Sequence, residues 1–187
     1  ELIGLLHDLG ESRKSFQDYL KYNSGSDDVH YDASDHSHSG VGAVWAVKEL
    51  GDRGRILAYC IAGHHAGLPD WLNGPNPNGS LGYRLQQEAE TLQEKYVSEY
   101  ITAHEAEWRA KAKSLRPPWI WGNDNLADVN FWNRMLYSCL TDADYLDTEA
   151  FIDPPKATRR SQYPTLEDLS RDFFDNLVRS HFGECFR

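Results

Sequence analysis

Apolar residues recur along the chain in short runs whose spacing fits helices, separated by polar, Gly- and Pro-rich stretches, and no alternation reads as a convincing strand. The first run, Leu2-Ile3-Gly4-Leu5-Leu6, continues through Leu9 to Phe16, Tyr19 and Leu20, which predicts one helix from about residue 2 to 22. Polar residues 23–28 then form a loop. Further apolar runs predict helices at about 39–50 and 54–63, and the Gly/Pro/Asn-rich segment 67–82 predicts a long surface loop. Residues 83–115, rich in Glu, Gln, Ala and Lys, read as one long polar helix or two joined ones, ended by Arg116-Pro117-Pro118. A helix follows over about 125–150, and Pro154-Pro155 stops what comes after it. Thr165-Leu166-Glu167-Asp168 has the character of a helix start and opens a last amphipathic helix reaching about His181. The pattern is all-α, without internal repeats.

Length and composition narrow the class. At 187 residues the chain suits a single domain over 1–187 with a sizeable core. Six Trp and a mean hydropathy of -0.65 describe a globular protein built on large side chains. No run approaches the ~20 apolar residues of a membrane span. Cys60, Cys139 and Cys185 are far apart and form no Cys-x-x-Cys pair, so neither a disulfide framework nor a zinc knuckle is indicated and a reducing cytoplasm fits. Cys60 and Cys139 sit in apolar runs and read as small core residues. A net charge of -10 opposes a general nucleic-acid-binding surface, because phosphate contacts need Lys and Arg. Local basic groups stand at Arg53 and Arg55, at Lys111, Lys113 and Arg116, and at Lys156, Arg159 and Arg160.

The chemistry is concentrated in His and Asp. His7-Asp8 lies inside the first apolar run, and burying an imidazole beside an ionised carboxylate is costly unless both are satisfied. The dipeptide alone reads more simply as a hydrogen-bonded pair, but further ligand types arrive from elsewhere. Asp35-His36-Ser37-His38 precedes an apolar run, Gly63-His64-His65-Ala66-Gly67 ends one, and Asp142-Ala143-Asp144 lies within another. Five of the eight histidines fall in these clusters, and His30, His104 and His181 lie outside them. His104 and His181 read as surface residues. Imidazole nitrogen and carboxylate oxygen together suit a divalent transition metal, and a shared carboxylate can bridge two ions. Trp119 and Trp121 read as packing on their own domain rather than as base-stacking groups.

The ordered strings Leu-His-Asp-Leu-Gly (6–10), His-Ser-Gly-Val-Gly-Ala (38–43), Ala-Gly-His-His-Ala-Gly (62–67) and Leu-Thr-Asp-Ala-Asp-Tyr-Leu-Asp-Thr-Glu (140–149) resemble the HD nuclease domain of the CRISPR-associated helicase-nuclease of type I systems. The resemblance covers roughly 1–153. It implies an HD-superfamily helical bundle with a metal site between helices. It implies one or two divalent ions (Mn, Fe, Co, Ni, Zn or Mg) and cleavage of single-stranded DNA beside an ATP-dependent helicase and a guide-RNA surveillance complex. By the same resemblance His7, Asp8 and Asp144 hold one ion, and Asp8, His38, His64 and His65 hold the other, with Asp8 bridging. His36 is the alternative to His38, and Asp142 the alternative to Asp144.

Two departures stand out. The family places a lysine directly after His-Asp-x-Gly, where this chain has Glu11; either Lys14, nearly one turn later, replaces it as a catalytic group beside His7 and Asp8, or phosphate positioning is weaker. The family also carries an upstream metal-binding histidine, so a chain beginning at Glu1 reads as a piece of a longer one, with the helicase downstream or on another chain. A nucleotide phosphohydrolase with the same metal chemistry, and an interaction module with a degenerate site, are the competing readings.

Overall fold

The computed structural model describes residues 1–25, 37–72, 79–115, 126–160 and 164–182. Among these the structure is helical and contains no strand. In chain order the helices are α1 (Leu2–Leu6), α2 (Lys14–Asn23), α3 (Val41–Leu50), α4 (Asp52–Gly63), α5 (Leu81–Gln87), α6 (Lys95–Ser114), α7 (Leu126–Ile152), α8 (Pro154–Arg160) and α9 (Leu166–Phe182). Two 3₁₀ turns, Leu9–Ser12 and Thr91–Gln93, precede α2 and α6. The chain divides into two compact units, Glu1–Asp144 and Tyr145–Arg187.

The core of the first unit lies where the sequence is most apolar. α3 and α4 form a hairpin turned at Gly51, whose φ of 60° lies in the left-handed region that favours glycine and whose N–H donates to the Val47 carbonyl at 2.9 Å. Val41, Ala43, Val44, Trp45 and Ala46 of α3 pack with Leu57, Ala58, Cys60, Ile61 and Ala62 of α4. Leu2, Ile3 and Leu6 of α1 join them, and a Cβ on Gly42 would stand 1.8 Å from the Leu6 carbonyl oxygen, so α1 approaches α3 backbone to backbone. α6 contributes Val97 and Trp108, with Trp108 edge-on to Trp45 at a centroid distance of 5.2 Å, and Leu140 of α7 belongs to the same cluster.

The predicted first helix over 2–22 is instead broken into three pieces. Asp8 leaves helical geometry at φ -101°, ψ 17°, and Arg13 is extended at φ -61°, ψ 142°. A regular helix spreads four consecutive residues around its whole circumference. Here His7, Asp8, Leu9 and Gly10 are all buried or half-buried, which the break permits. Its cause is long-range: Gly10 abuts the His38 backbone, and the Arg13 guanidinium grips the Glu94 carboxylate with both Nε and Nη2 (3.2 and 3.0 Å to Oε1) while donating to the Ser37 carbonyl.

Other boundaries also move. The 83–115 stretch is two helices joined by the Thr91–Gln93 turn, the first opening at Leu81 with Ser80 Oγ accepting from the Tyr83 N–H at 3.3 Å. Pro154-Pro155 does not stop helical structure but begins α8, because a proline in the first turn has no N–H to waste and the Asp153 carboxylate accepts from the Lys156 N–H at 3.1 Å. Cys139, read as a core residue, is exposed, whereas Cys60 is buried with its thiol donating to Asn133 Oδ1 at 3.2 Å. His104, read as a surface residue, is half-buried and stacked between Tyr100 and Trp108.

In the second unit Glu149 accepts from both Lys156 and Arg160, fastening α8 to the end of α7. Together these cations hold the Glu149 carboxyl down at about 2. α9 opens as predicted, with Thr165 Oγ1 accepting from the Asp168 N–H at 3.2 Å and donating to Asp168 Oδ2 at 2.7 Å. Among the described residues no helix is long and apolar enough to cross a membrane.

Candidate metal centre

Most of the ligand-type residues reach the site at or near a helix end, and Asp144 reaches it from within a helix. α1 stops at Leu6, leaving His7 and Asp8 in a turn; α4 stops at Gly63, leaving His64 and His65 in another; His38 lies just ahead of α3; Asp144 sits within α7. The α4 stop is set by Gly67, at φ 92°, whose N–H returns to the Gly63 carbonyl at 2.7 Å. The structure brings all six of these residues into one cluster.

Asp8 is its centre. Its Oδ2 lies 2.9 Å from His7 Nε2, and its Oδ1 lies 3.5 Å from His64 Nε2 and 3.8 Å from His38 Nε2. Asp144 Oδ1 is 3.8 Å from His7 Nε2. On the other side His38 Nε2 and His65 Nε2 approach to 2.9 Å, so at most one of them carries a hydrogen. Among the described residues three sets offer ligand atoms within 4.8 Å of one another: His7, Asp8 and Asp144; His38, His64 and His65; and Asp8, Glu11 and His38.

Backbone carbonyls fix two of the rings. His7 Nδ1 faces the Gly4 carbonyl at 2.9 Å and His64 Nδ1 faces the Ile61 carbonyl at 2.6 Å, so each Nδ1 must carry the hydrogen and each Nε2 turns toward Asp8. His64 is buried and its Nε2 has no hydrogen-bond partner among the described residues. A buried lone pair aimed at a carboxylate is unfavourable for folding alone, whereas a cation between the two satisfies both. The donor set therefore fits a divalent metal, and its nitrogen content suits Mn, Fe, Co, Ni or Zn better than Mg.

The electrostatics agree with that geometry. Burial favours the neutral form of Asp8, but the His64 and His7 rings beside it overcome burial and hold the carboxyl far below its ordinary range. Burial likewise opposes charge on His7, yet the Asp8 partnership raises its pKa above the ordinary 6.5. His65 moves the other way, lowered by burial and by His64. Burial and the charge of Asp8 push the Glu11 carboxyl up.

Two arginines that sequence reading passed over hold the ligand-bearing segments. Arg84 donates to the Ala62 carbonyl at 2.5 Å and to Ser39 Oγ at 2.6 Å, tying the end of α4 to the residue beside His38. Arg13 ties Ser37 to the turn before α6 through Glu94. Phe16 of α2 packs edge-on against the His38 ring, with centroids 4.9 Å apart. A cleft of about 660 Å³ opens beside the cluster, lined by His7, Asp8 and Glu11 on one side and by Tyr96 and Tyr100 on the other.

The remaining candidates are placed less centrally. Lys14 is exposed and pairs with Asp18 one turn along α2. Asp142 is exposed on α7. His36, Arg116, Trp119 and Trp121 lie outside the described residues. Of the basic groups, Arg55 pairs with Asp52 and lies over the Trp71 ring, and Lys111 pairs with Glu1 and Glu107. No family model and no curated protein matches this chain.

Proposed function

We propose that this chain is a divalent-metal-dependent phosphodiesterase of the HD nuclease type that cleaves single-stranded DNA in the cytoplasm, working with an ATP-dependent helicase and a guide-RNA surveillance complex in type I CRISPR interference. One observation carries the metal chemistry: the buried His64 ring, fixed by Ile61, aims an unpartnered Nε2 at Asp8. The resemblance of the sequence strings supports the family reading, and the cleft supports a polymeric substrate, since the half-exposed rings of Tyr96 and Tyr100 offer flat surfaces for unpaired bases beside the ligand cluster.

In this reading His7, Asp8 and Asp144 hold one ion, and Asp8, His38, His64 and His65 hold another. The ions, when bound, supply a hydroxide at neutral pH and neutralise charge on the phosphate. The chain's own part is to keep the receiving atoms in place. The Gly4 and Ile61 carbonyls set which nitrogen of His7 and His64 is bare, and Arg84 and Arg13 keep the His38 segment against Asp8.

The test is cleavage of single-stranded DNA by the purified chain with Mn, Co, Ni, Zn or Mg supplied singly. Products should appear with at least one ion and vanish with chelator, and Asp8→Ala and His64→Ala should abolish them while lowering metal content. Cleavage that persists in chelator would overturn the proposal. Phosphate release from nucleotides with DNA left intact would transfer it to the nucleotide phosphohydrolase reading.

A further inference from the structure

Glu11 occupies the position at which the resembling family has a lysine, and the structure gives the carboxylate a place of its own. The turn Leu9–Ser12 is 3₁₀, opened by Asp8 and closed by the Glu11 N–H donating to the Asp8 carbonyl at 2.9 Å. Side chains three apart in such a turn eclipse one another, so Glu11 follows Asp8 onto the same side. Its carboxylate offers an oxygen within 4.8 Å of ligand atoms on both Asp8 and His38. It is half-buried, lines the cleft beside His7, and receives no hydrogen bond or ion pair among the described residues.

Two carboxylates this close across a half-buried gap repel one another. The neighbouring His64 Nε2, buried and unpartnered, aims at the same Asp8 carboxylate. Both arrangements ask for positive charge at one place, and a second divalent cation supplies it. Building on the metal-site reading above, we propose that Glu11 is a metal ligand in this chain: with Asp8 and His38 it adds an oxygen to the shell of the second ion, making that position an oxygen-richer one. Where the family's lysine would bring a positive charge to the phosphate, this chain brings a carboxylate, and the second ion takes over the neutralising role. Full activity then requires both ions, and the added hard oxygen donor tilts the second position toward Mn.

The experiment is a calorimetric titration of Mn²⁺ into the full chain, the Glu11→Gln, Glu11→Ala and His64→Ala variants, with circular dichroism as the check on folding and electron paramagnetic resonance as a second readout. Wild type should bind two ions and show the spectrum of a magnetically coupled Mn pair. Loss of the Glu11 carboxylate should weaken one ion by at least the roughly 10–100-fold that loss of an outer-shell partner costs, leave the other unchanged, and abolish the coupled signal. If Glu11→Gln and Glu11→Ala keep both affinities and the coupled signal while His64→Ala loses an ion, the role of Glu11 is wrong and the metal-site reading stands. If wild type binds no Mn²⁺, both fall together.

Discussion

Substituting alanine at two glycines of the same short segment should move stability in opposite directions, and the difference tests how the candidate metal centre is assembled. A Cβ on Gly10 would lie 2.1 Å from the His38 carbonyl oxygen and 2.5 Å from its Cα, both backbone atoms. Ordinary carbon contacts begin near 3.5 Å, so one of the two segments must retreat by more than about an ångström. Overpacking of that kind costs about 1–3 kcal/mol, and at roughly 2–4 °C per kcal/mol for a chain this size the thermal midpoint falls by several degrees. The retreat also carries His38 away from Asp8, where their ligand atoms are now 3.8 Å apart. Metal bonds tolerate only about 0.2 Å of error, so the ion assigned to His38 should bind at least about tenfold more weakly. Gly4 is the control: it sits in α1, exposed, and a Cβ there meets nothing within 4 Å. Gly4→Ala should therefore stabilise by about 0.4–1 kcal/mol, through helix propensity and a less flexible unfolded chain. Thermal melts in chelator isolate the packing term, and Mn²⁺ titrations of the same proteins isolate the ligand term. A Gly10→Ala protein that melts with wild type and binds two ions equally well would refute the claim that close backbone contact positions His38.

Proton and metal compete for one atom of His7. Burial opposes its charge, but Asp8 lifts its pKa above 6.5, so in chelator the His7–Asp8 pair contributes stability that is fully present below about 6.5 and fades as pH rises through the raised value. With Mn²⁺ present the sign reverses, because the ion needs the bare nitrogen; the gain in midpoint from metal should grow from pH 6 to pH 8, and a pH-independent gain would count against His7 as a ligand. Arg84→Ala should leave the Ala62 carbonyl and Ser39 unsatisfied, costing about 1–3 kcal/mol, and should weaken metal binding although Arg84 touches no ligand residue's side chain; Arg84→Lys should recover only part of both, since one ammonium does not reproduce the two-armed contact. Unchanged metal affinity in a folded Arg84→Ala protein would remove Arg84 from the support of the site.

Most helix positions were legible because apolar runs with helical spacing need no knowledge of distant contacts; α3, α4 and α9 fall within about two residues of their expected starts. The interruption of the first helix was not legible, because its apolar period is continuous and the cause lies in partners at Ser37, His38 and Glu94. Pro154-Pro155 misled for a local reason: the same residue that ends a helix from within also begins one, and Asp153 before it was the available sign. His7, Asp8, His38, His64, His65 and Asp144 could be picked out because polar ligand types are rare beside apolar runs, and the fold gathers them around Asp8. Arg13 and Arg84 could not, because several of their partners are backbone carbonyls, which every residue has. Glu11 was visible only as a missing lysine; that a carboxylate there shares a face with Asp8 depends on the turn being 3₁₀.

The distribution of charge bears on how the proposed nuclease would meet its substrate. Net charge is -10, and many of the cations the sequence offers are already engaged: Arg13 with Glu94, Arg109 with Glu49, Lys111 with Glu1, and Lys156 and Arg160 with Glu149. Each phosphate contact made by such a side chain would first have to break a carboxylate pair, and what remains is weakened further by salt. Ions held at Asp8, Glu11 and Asp144 as proposed would offset this there but do nothing for a strand several nucleotides away, since screening confines their field to about 8–10 Å at physiological ionic strength. The cleft beside the site supplies rings, Tyr96 and Tyr100, and stacking on rings discriminates unpaired bases from paired ones without requiring surface charge. A site of this kind is suited to hold one unpaired stretch at the ions and poorly suited to capture or unwind duplex, which is the physical argument for pairing it with a motor that delivers single strand.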